Sequence, residues 1–176
     1  MSICIIGGAG FVGTRLCKRL SKAGRNFGIF DAQLSKIFAS KTVVGDVCNS
    51  VDYESLANSD VLINLAAVHR DDVRPLSRYD DVNVGGSEVI CNYARQAGIN
   101  KIIFTSSVAI YGFAPPNTGE EGEPNYFNDY GRTKYLAEQV YKKWQAEDPD
   151  NRSLVIIRPT VIFGEGNRGN VCNLFT

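Results

Sequence analysis

Histidine is nearly absent from this chain of 176 residues. It has one, His69, and its five cysteines (Cys4, Cys17, Cys48, Cys91, Cys172) are scattered with no C-x-x-C pair among them. Neither a Cys/His metal centre nor a disulfide framework is expected, and an odd set of thiols fits a reducing cytoplasm. Net charge is absent too. Nineteen basic and nineteen acidic residues cancel, which argues against nucleic acid or another polyanion as the main partner. The apolar start, MSICIIGGAGFVG, has no basic segment before it and is broken by glycines after six residues. It is expected to be neither a signal peptide nor a membrane span. Repeats, linkers and low-complexity runs are also missing. What remains is an ordinary globular mix, 44% apolar and 22% charged, at a length suited to one domain with a substantial core.

Within that domain, strands alternate with helices. Short apolar runs at Ser2–Ile6, Asn26–Phe30, Lys41–Val44, Asp60–Ala67, Lys101–Ser106 and Ser153–Ile157 read as six strands. Thr14–Ala23 reads as a helix with Leu16, Leu20 and Ala23 on one face and Gly24 as its stop. Longer helices are expected over about Asp80–Ala97 and Asp129–Ala146, with a polar surface loop at Gly112–Asn128, GFAPPNTGEEGEPNYFN, leading into the second. Uninterrupted strands of about five apolar residues imply a doubly wound parallel sheet, a Rossmann fold, with helices on both faces.

Directly after the first strand comes Gly7-Gly8-Ala9-Gly10-Phe11-Val12-Gly13, opening straight into a helix. Glycines let the backbone turn tightly and approach a pyrophosphate, and the helix N-terminus then stabilises its charge. A glycine triplet alone is weak evidence; on a strand–turn–helix it is in the context the function needs. Asp31 ends the second strand, 18 residues after Gly13. There a carboxylate can accept the ribose hydroxyls of an adenosine, or merely cap a turn. Its charge would repel a 2′-phosphate, so NAD is expected over NADP.

Further along stands Asn128-Asp-Tyr-Gly-Arg-Thr-Lys134. Tyr130 and Lys134, at i and i+4, project from one helix face a turn apart. The plain use is a solvated face with lysine lying over a ring. The chemical use is acid–base catalysis, since an ammonium beside a phenol lowers its pKa. Replacing Arg132, off that face, is expected to leave turnover nearly intact.

Taken in order, GGAGFVG, Asp46-Val47, Asn64-Leu-Ala-Ala67, Asn83-Val-Gly-Gly, Thr105-Ser-Ser107, Tyr130-x-x-x-Lys134 and Arg158-Pro-Thr-Val-Ile-Phe-Gly164 resemble the extended short-chain dehydrogenase/reductase family. More narrowly they resemble its NAD-dependent sugar-nucleotide epimerases and dehydratases. The resemblance covers the whole chain, and seven ordered motifs are far more specific than any one of them. It implies that Gly7, Gly10, Phe11, Val12 and Gly13 cradle the pyrophosphate and Asp31 takes the ribose. Asp46 and Val47 would flank the adenine, and Leu65, Ala66 and Ala67 would lie along ribose and pyrophosphate. Asn83 would order its end of the helix beside the cofactor, and Pro159 and Thr160 would meet the nicotinamide. Ser107 would hydrogen-bond the reacting oxygen, Tyr130 would be the base, and Lys134 would support Tyr130 and hold the nicotinamide ribose. Ser106 is counted on the cofactor side, though a structural role is its plainer use. Against these stand simpler uses: a cap for Asp46, strand core for Leu65–Ala67, a strand-end hydroxyl for Ser107. His69 is either a turn residue or a substrate or cofactor contact. Arg70 and Asp71 are expected to pair on the loop surface.

By the same resemblance, 4,6-dehydratases carry an Asp-Glu pair after the serine; here Val108 and Ala109 stand there and cannot move a proton. Epimerisation at C4 of a nucleotide sugar is expected. A reductase or dehydrogenase of the same fold and a non-catalytic dinucleotide sensor are the alternatives. Helices 80–97 and 129–146 pair across a homodimer in the family, so the stripe Leu136, Val140, Trp144 is either core or partly interface. The segment Val171–Thr176 reads as the beginning of a helix. The chain is therefore expected to be truncated, one NAD-binding domain over 1–176 without the substrate-binding segment and inactive alone.

Overall fold

The computed structural model describes residues 1–49, 59–70 and 72–167. Six parallel strands form one sheet: β1 (Ser2–Ile6), β2 (Asn26–Asp31), β3 (Thr42–Val44), β4 (Val61–Asn64), β5 (Lys101–Thr105) and β6 (Ser153–Ile157). Their spatial order is β3-β2-β1-β4-β5-β6. The strand order reverses between β1 and β4, and in open α/β sheets ligands bind at such a switch point, outside the carboxyl ends of the strands. That edge carries nearly every residue singled out above.

Helix α1 (Phe11–Lys22) covers one face of the sheet. Its Cys17 is fully buried among Ile3, Ile5, Phe27, Ile29, Val61 and Ile63, with Leu16 and Leu20 packed against them. Ala23, expected on that face, is exposed; Cys17 takes the inner position. The opposite face is covered by α3 (Gly86–Gln96) and α4 (Asp129–Ala146). There Ile90, Cys91, Ala94, Ala137, Tyr141 and Trp144 bury Cys4, Ile6, Leu62, Ile102 and Phe104. Trp144 is 0% exposed and Val140 packs against the same cluster, so this part of the α4 stripe is core. On β6 the cover is one-sided among the described residues: Leu154 and Ile156 pack inward, whereas Val155 and Ile157 are each 47% exposed.

The helix expected to begin near Asp80 starts earlier, as α2 (Ser77–Tyr79), and runs through a π-helical stretch, Asp80–Gly85, into α3. Such widened turns insert one residue per turn and recur at functional sites. Here the stretch buries Asn83, whose carbonyl accepts from the Ser87 hydroxyl at 2.7 Å. Strand β4 stops at Asn64, three residues short of the expected end. The reason is local: Asn64 Oδ1 accepts the Ala66 N–H at 3.0 Å, turning the chain out of the ladder. No helix among the described residues is long and apolar enough to cross a membrane. Val171–Thr176 lies outside the described residues.

Candidate active site

The glycine turn is built by close approach. Gly7 has φ +80°, and a Cβ there would come within 2.6 Å of the Ala66 backbone nitrogen. Only glycine joins that conformation to that contact. One turn into α1, a Cβ on Gly13 would sit 2.5 Å from both the Gly7 carbonyl and the Gly8 Cα, so helix and turn touch backbone to backbone. Gly10 differs: its Cβ would meet only the Gly7 carbonyl, at 3.4 Å, and the residue faces outward. It is the N-cap of α1, and the first turn of α1 carries neither a side-chain cap nor an acidic residue. An open helix start with unclaimed N–H groups is the chemistry a pyrophosphate requires.

Asp31 closes this end. Its Oδ2 accepts the Ala9 N–H and its Oδ1 the Gln33 N–H, both at 2.9 Å. The carboxylate thus braces the glycine turn and caps a turn of its own, and each oxygen retains further acceptor capacity for a ribose. Asp46 likewise caps, accepting the Cys48 N–H at 2.9 Å. Val47 seats against Gly86, where an added Cβ would lie 3.0 Å from its methyl. Leu65, Ala66 and Ala67 follow β4 half-buried, beside the glycine turn. Asn83 spends its amide on protein: Oδ1 accepts from the Val68 N–H at 2.8 Å, and Nδ2 donates to the Val68 carbonyl and Thr133 Oγ1, each at 3.0 Å. It orders the β4 exit against α4, as a positioning group. His69, next in the loop, is exposed, with Nδ1 3.4 Å from the Ala67 carbonyl.

At the other end, Ser107 and Tyr130 meet. Ser107 Oγ accepts the Ala109 N–H at 3.1 Å, starting the 3-10 turn Val108–Tyr111. Burial pushes the Tyr130 phenol above its ordinary pKa, and the bond to Ser107 pulls it part of the way back. Lys134 itself is enclosed, its ammonium 4.3 Å above the Phe104 ring. Burial lowers its pKa to about 7, opposed by the charge of Glu138. Ser106 is 2% exposed and its Oγ has no hydrogen-bond partner among the described residues. An orphaned hydroxyl between the strand end and Ser107 fits a site that takes a polar ligand. Pro159 follows β6, its carbonyl accepting the Val108 N–H at 3.2 Å, and Thr160 beside it is exposed.

Two arginines near the site have carboxylate partners. Arg70 pairs with Asp72 through two bonds, at 2.6 and 3.0 Å, a fork that suits the guanidinium; Asp71 lies outside the described residues. Arg132 is not idle. It grips Asp80 at 2.6 and 2.8 Å and Asp129 at 3.0 Å, tying the π-helical stretch to the start of α4.

With this geometry in view, comparison with known proteins is decisive. Residues 3–176 match the model of the NAD dependent epimerase/dehydratase family. The chain belongs to that family. A relative from Escherichia coli O157:H7, an N-acetyl-alpha-D-glucosaminyl-diphospho-ditrans,octacis-undecaprenol 4-epimerase, is 47% identical over 98% of this chain and 52% of its own length. A UDP-glucose 4-epimerase from Vibrio cholerae is 32% identical over 98% of this chain and 55% of its own. Among solved structures, MoeE5 in complex with UDP-glucuronic acid and NAD superposes with a TM-score of 0.87 at 27% identity, covering 97% of this chain and 58% of that one. The chain spans about half the length of the curated relatives it matches.

For a member of this epimerase/dehydratase family, three side chains gain importance that sequence reasoning passed over. Asn64 links Ala66 to the Tyr141 hydroxyl, which it meets at 2.8 Å, and so locks the β4 exit onto α4. Glu138 is wholly buried and accepts from Arg158 at 2.9 and 2.7 Å. Arg158 lies in a motif already noted, but only the fold shows its reach. The one available signal for Glu138 was its spacing, four residues after Lys134.

Proposed function

We propose that this chain is the NAD-binding domain of a 4-epimerase acting on a sugar carried by a diphosphate. The observation that carries the reading is the juxtaposition at one sheet edge: an open glycine–helix cradle braced by Asp31, and Ser107 after β5 with Tyr130 and Lys134 one turn apart on α4. A dinucleotide sensor needs the first and has no use for the second. The Gly10–Gly13 helix start would hold the pyrophosphate, Asp31 the adenosine ribose, and Lys134 the nicotinamide ribose. Bound NAD supplies a hydride acceptor that can return the hydride to either face of the same carbon.

The protein's own residues move the proton. Tyr130 takes it from the sugar hydroxyl as the carbon is oxidised, and returns it on reduction. Ser107 would hydrogen-bond the reacting oxygen beside Tyr130. Val108 and Ala109 offer no acid or base for eliminating water, which supports epimerisation over dehydration. Both kinds of relative carry the sugar on a diphosphate, one on undecaprenol and one on uridine. The sugar diphosphate is the shared recognition element, and a nucleotide sugar is one form of it. The charge of Asp31 favours NAD over NADP. A homodimer through 80–97 and 129–146 and a cytoplasmic location complete the reading, supported by the half-buried Leu136 and by the unpaired Cys4, Cys17, Cys48 and Cys91.

The test is to supply the full-length protein with UDP-linked and undecaprenyl-diphosphate-linked sugars and follow inversion at C4 by NMR. Inversion without net NADH supports the proposal. Stoichiometric NADH with an oxidised product would show a dehydrogenase instead.

A further inference from the structure

Tyr130 is followed directly by a glycine within the same helix. Gly131 is buried in the first turn of α4, and Asn128 Oδ1 accepts its N–H at 2.8 Å as the helix cap. Glycine weakens a helix, where alanine would strengthen it. The backbone here is ordinary α-helix, so conformation does not call for glycine; space does. A Cβ on Gly131 would come within 2.4 Å of the Ala109 carbonyl oxygen and 3.0 Å of the Tyr126 Cβ. The start of α4 therefore lies with a bare Cα against the main chain of the 3-10 turn.

That turn is the one Ser107 begins. Ala109 gives its N–H to Ser107 Oγ at 3.1 Å, and its carbonyl accepts the Gly112 N–H at 3.3 Å. Val108 is tied to the Pro159 carbonyl beyond β6 at 3.2 Å, and the Ile110 carbonyl accepts the Asn125 N–H at 2.9 Å. On its other side α4 is held to the π-helical stretch. Arg132 grips Asp80 there, and Thr133 Oγ1 accepts from Asn83 Nδ2 at 3.0 Å. One peptide, that of Ala109, thus touches the Ser107 side chain with its nitrogen and faces the residue after Tyr130 with its oxygen.

We propose that Gly131 is a positioning residue whose bare Cα, resting on the Ala109 carbonyl, sets the spacing of Tyr130 from Ser107. Its catalytic consequence rests on the reaction proposed above. A carbon in contact with a carbonyl oxygen settles at about 3.3–3.6 Å. A methyl on Gly131 therefore requires turn and helix to part by about 1 Å. Both are anchored on their far sides, so the first turn of α4 must tilt and carry Tyr130 with it. A misplacement of about 1 Å at a reacting group costs about 10²-fold in rate.

The experiment compares wild type, Gly131→Ala and Gly98→Ala in the full-length protein loaded with NAD. Gly98 lies at the opposite edge of the sheet with φ +66° and nothing within 4 Å of an added Cβ. Its alanine strains the backbone and lowers Tm without touching the site. Turnover per NAD-loaded subunit should fall about 10²-fold in Gly131→Ala, with NAD affinity near wild type. A sugar deuterated at C4 should then show a larger isotope effect, because the chemical step has become limiting. Gly98→Ala should leave both at wild-type values despite its lower Tm. In crystals, the separation of Ser107 Oγ from the Tyr130 hydroxyl should change by about 1 Å in Gly131→Ala. That measurement needs no turnover, so it decides the spacing whether or not the longer protein inverts C4; absence of inversion would count against the reaction alone. If Gly131→Ala does not fold, Asn128→Ala frees the same turn without adding an atom and should give a smaller loss of the same kind. Turnover and isotope effect that track Gly98→Ala, or an unchanged Ser107–Tyr130 separation, overturn the proposal and leave Gly131 as a packing residue.

Discussion

The two ends of the sheet edge are made from different material. At β1 and β2 the site is backbone: Gly7 against Ala66, Gly13 against Gly7 and Gly8, a helix start, and one carboxylate that braces the turn. At β5, β6 and α4 it is side chain: Lys134 over Phe104, Glu138 in the grip of Arg158. The first end depends on what atoms are missing, since a methyl at Gly13 has no space. The second depends on which charged groups are enclosed together. A dinucleotide has the same phosphates everywhere and can be met by geometry alone; a proton transfer needs a tuned group, and tuning is environmental. The ends should therefore fail in different ways when altered.

The largest effect is expected at the chemical end. Tyr130→Phe in the full-length protein keeps the ring and its packing and loses only the titrating oxygen. Turnover should fall about 10²–10⁴-fold with Tm and NAD affinity near wild type. Near-normal turnover would make Tyr130 ordinary packing and erase the contrast between the ends.

Next comes the carboxylate of the backbone end. Asp31→Asn keeps an acceptor for the Ala9 N–H and removes the charge. Hydrogen bonds to charged groups are worth about 1.5–3 kcal/mol against about 0.5–1.5 kcal/mol for neutral ones. Calorimetric titration should show NAD weakened by roughly tenfold, with the preference over NADP narrowed. Unchanged affinities for both dinucleotides would reduce Asp31 to its turn-capping role.

A smaller effect, of a different kind, is expected at Gly13. Its added methyl meets backbone atoms that cannot swing aside, at 2.5 Å. Overpacking of this sort costs about 1–3 kcal/mol, so Gly13→Ala should lower Tm by several degrees and weaken NAD together. A variant as stable as wild type would show that turn and helix can separate at little cost.

The smallest effect belongs to Arg132, whose carboxylate partners are partly exposed. Arg132→Ala should cost about 1 kcal/mol or less in stability and leave NAD affinity unchanged. A loss of turnover beyond what the small Tm change explains would mean that the π-helical stretch and α4 must be tied together for the chemistry. The Arg132 grip would then belong with the chemical end.

These contrasts bear on what could be read from the chain before folding. The glycine turn, Asp31 at a strand tip and six apolar runs were legible because each is local, set by a Ramachandran preference or by a short uninterrupted apolar stretch. Val140 and Trp144 were visible as a helix stripe, but whether they faced a core or a partner was not. Arg132 looked neutral because its partner Asp80 lies 52 positions away. Asn83 stood in a recognised motif, but its bonds to Val68 and Thr133 cross 15 and 50 positions and emerge only when β4, the π-helical stretch and α4 assemble.

By itself the sequence determined the parallel α/β order, the glycine turn after the first strand and the presence of a tyrosine and a lysine one helical turn apart. It could not decide the lysine's surroundings. Lys134 has Tyr130 one turn back and Glu138 one turn ahead, and helical spacing treats the two alike. The tertiary structure decided which groups are enclosed with it. Packing α4 against β5 enclosed Lys134 over Phe104, and Arg158, brought in at the end of β6, fixed the Glu138 carboxylate in the same interior. Burial magnifies every charge it encloses, so the lysine's state depends on residues that only the completed sheet places beside it.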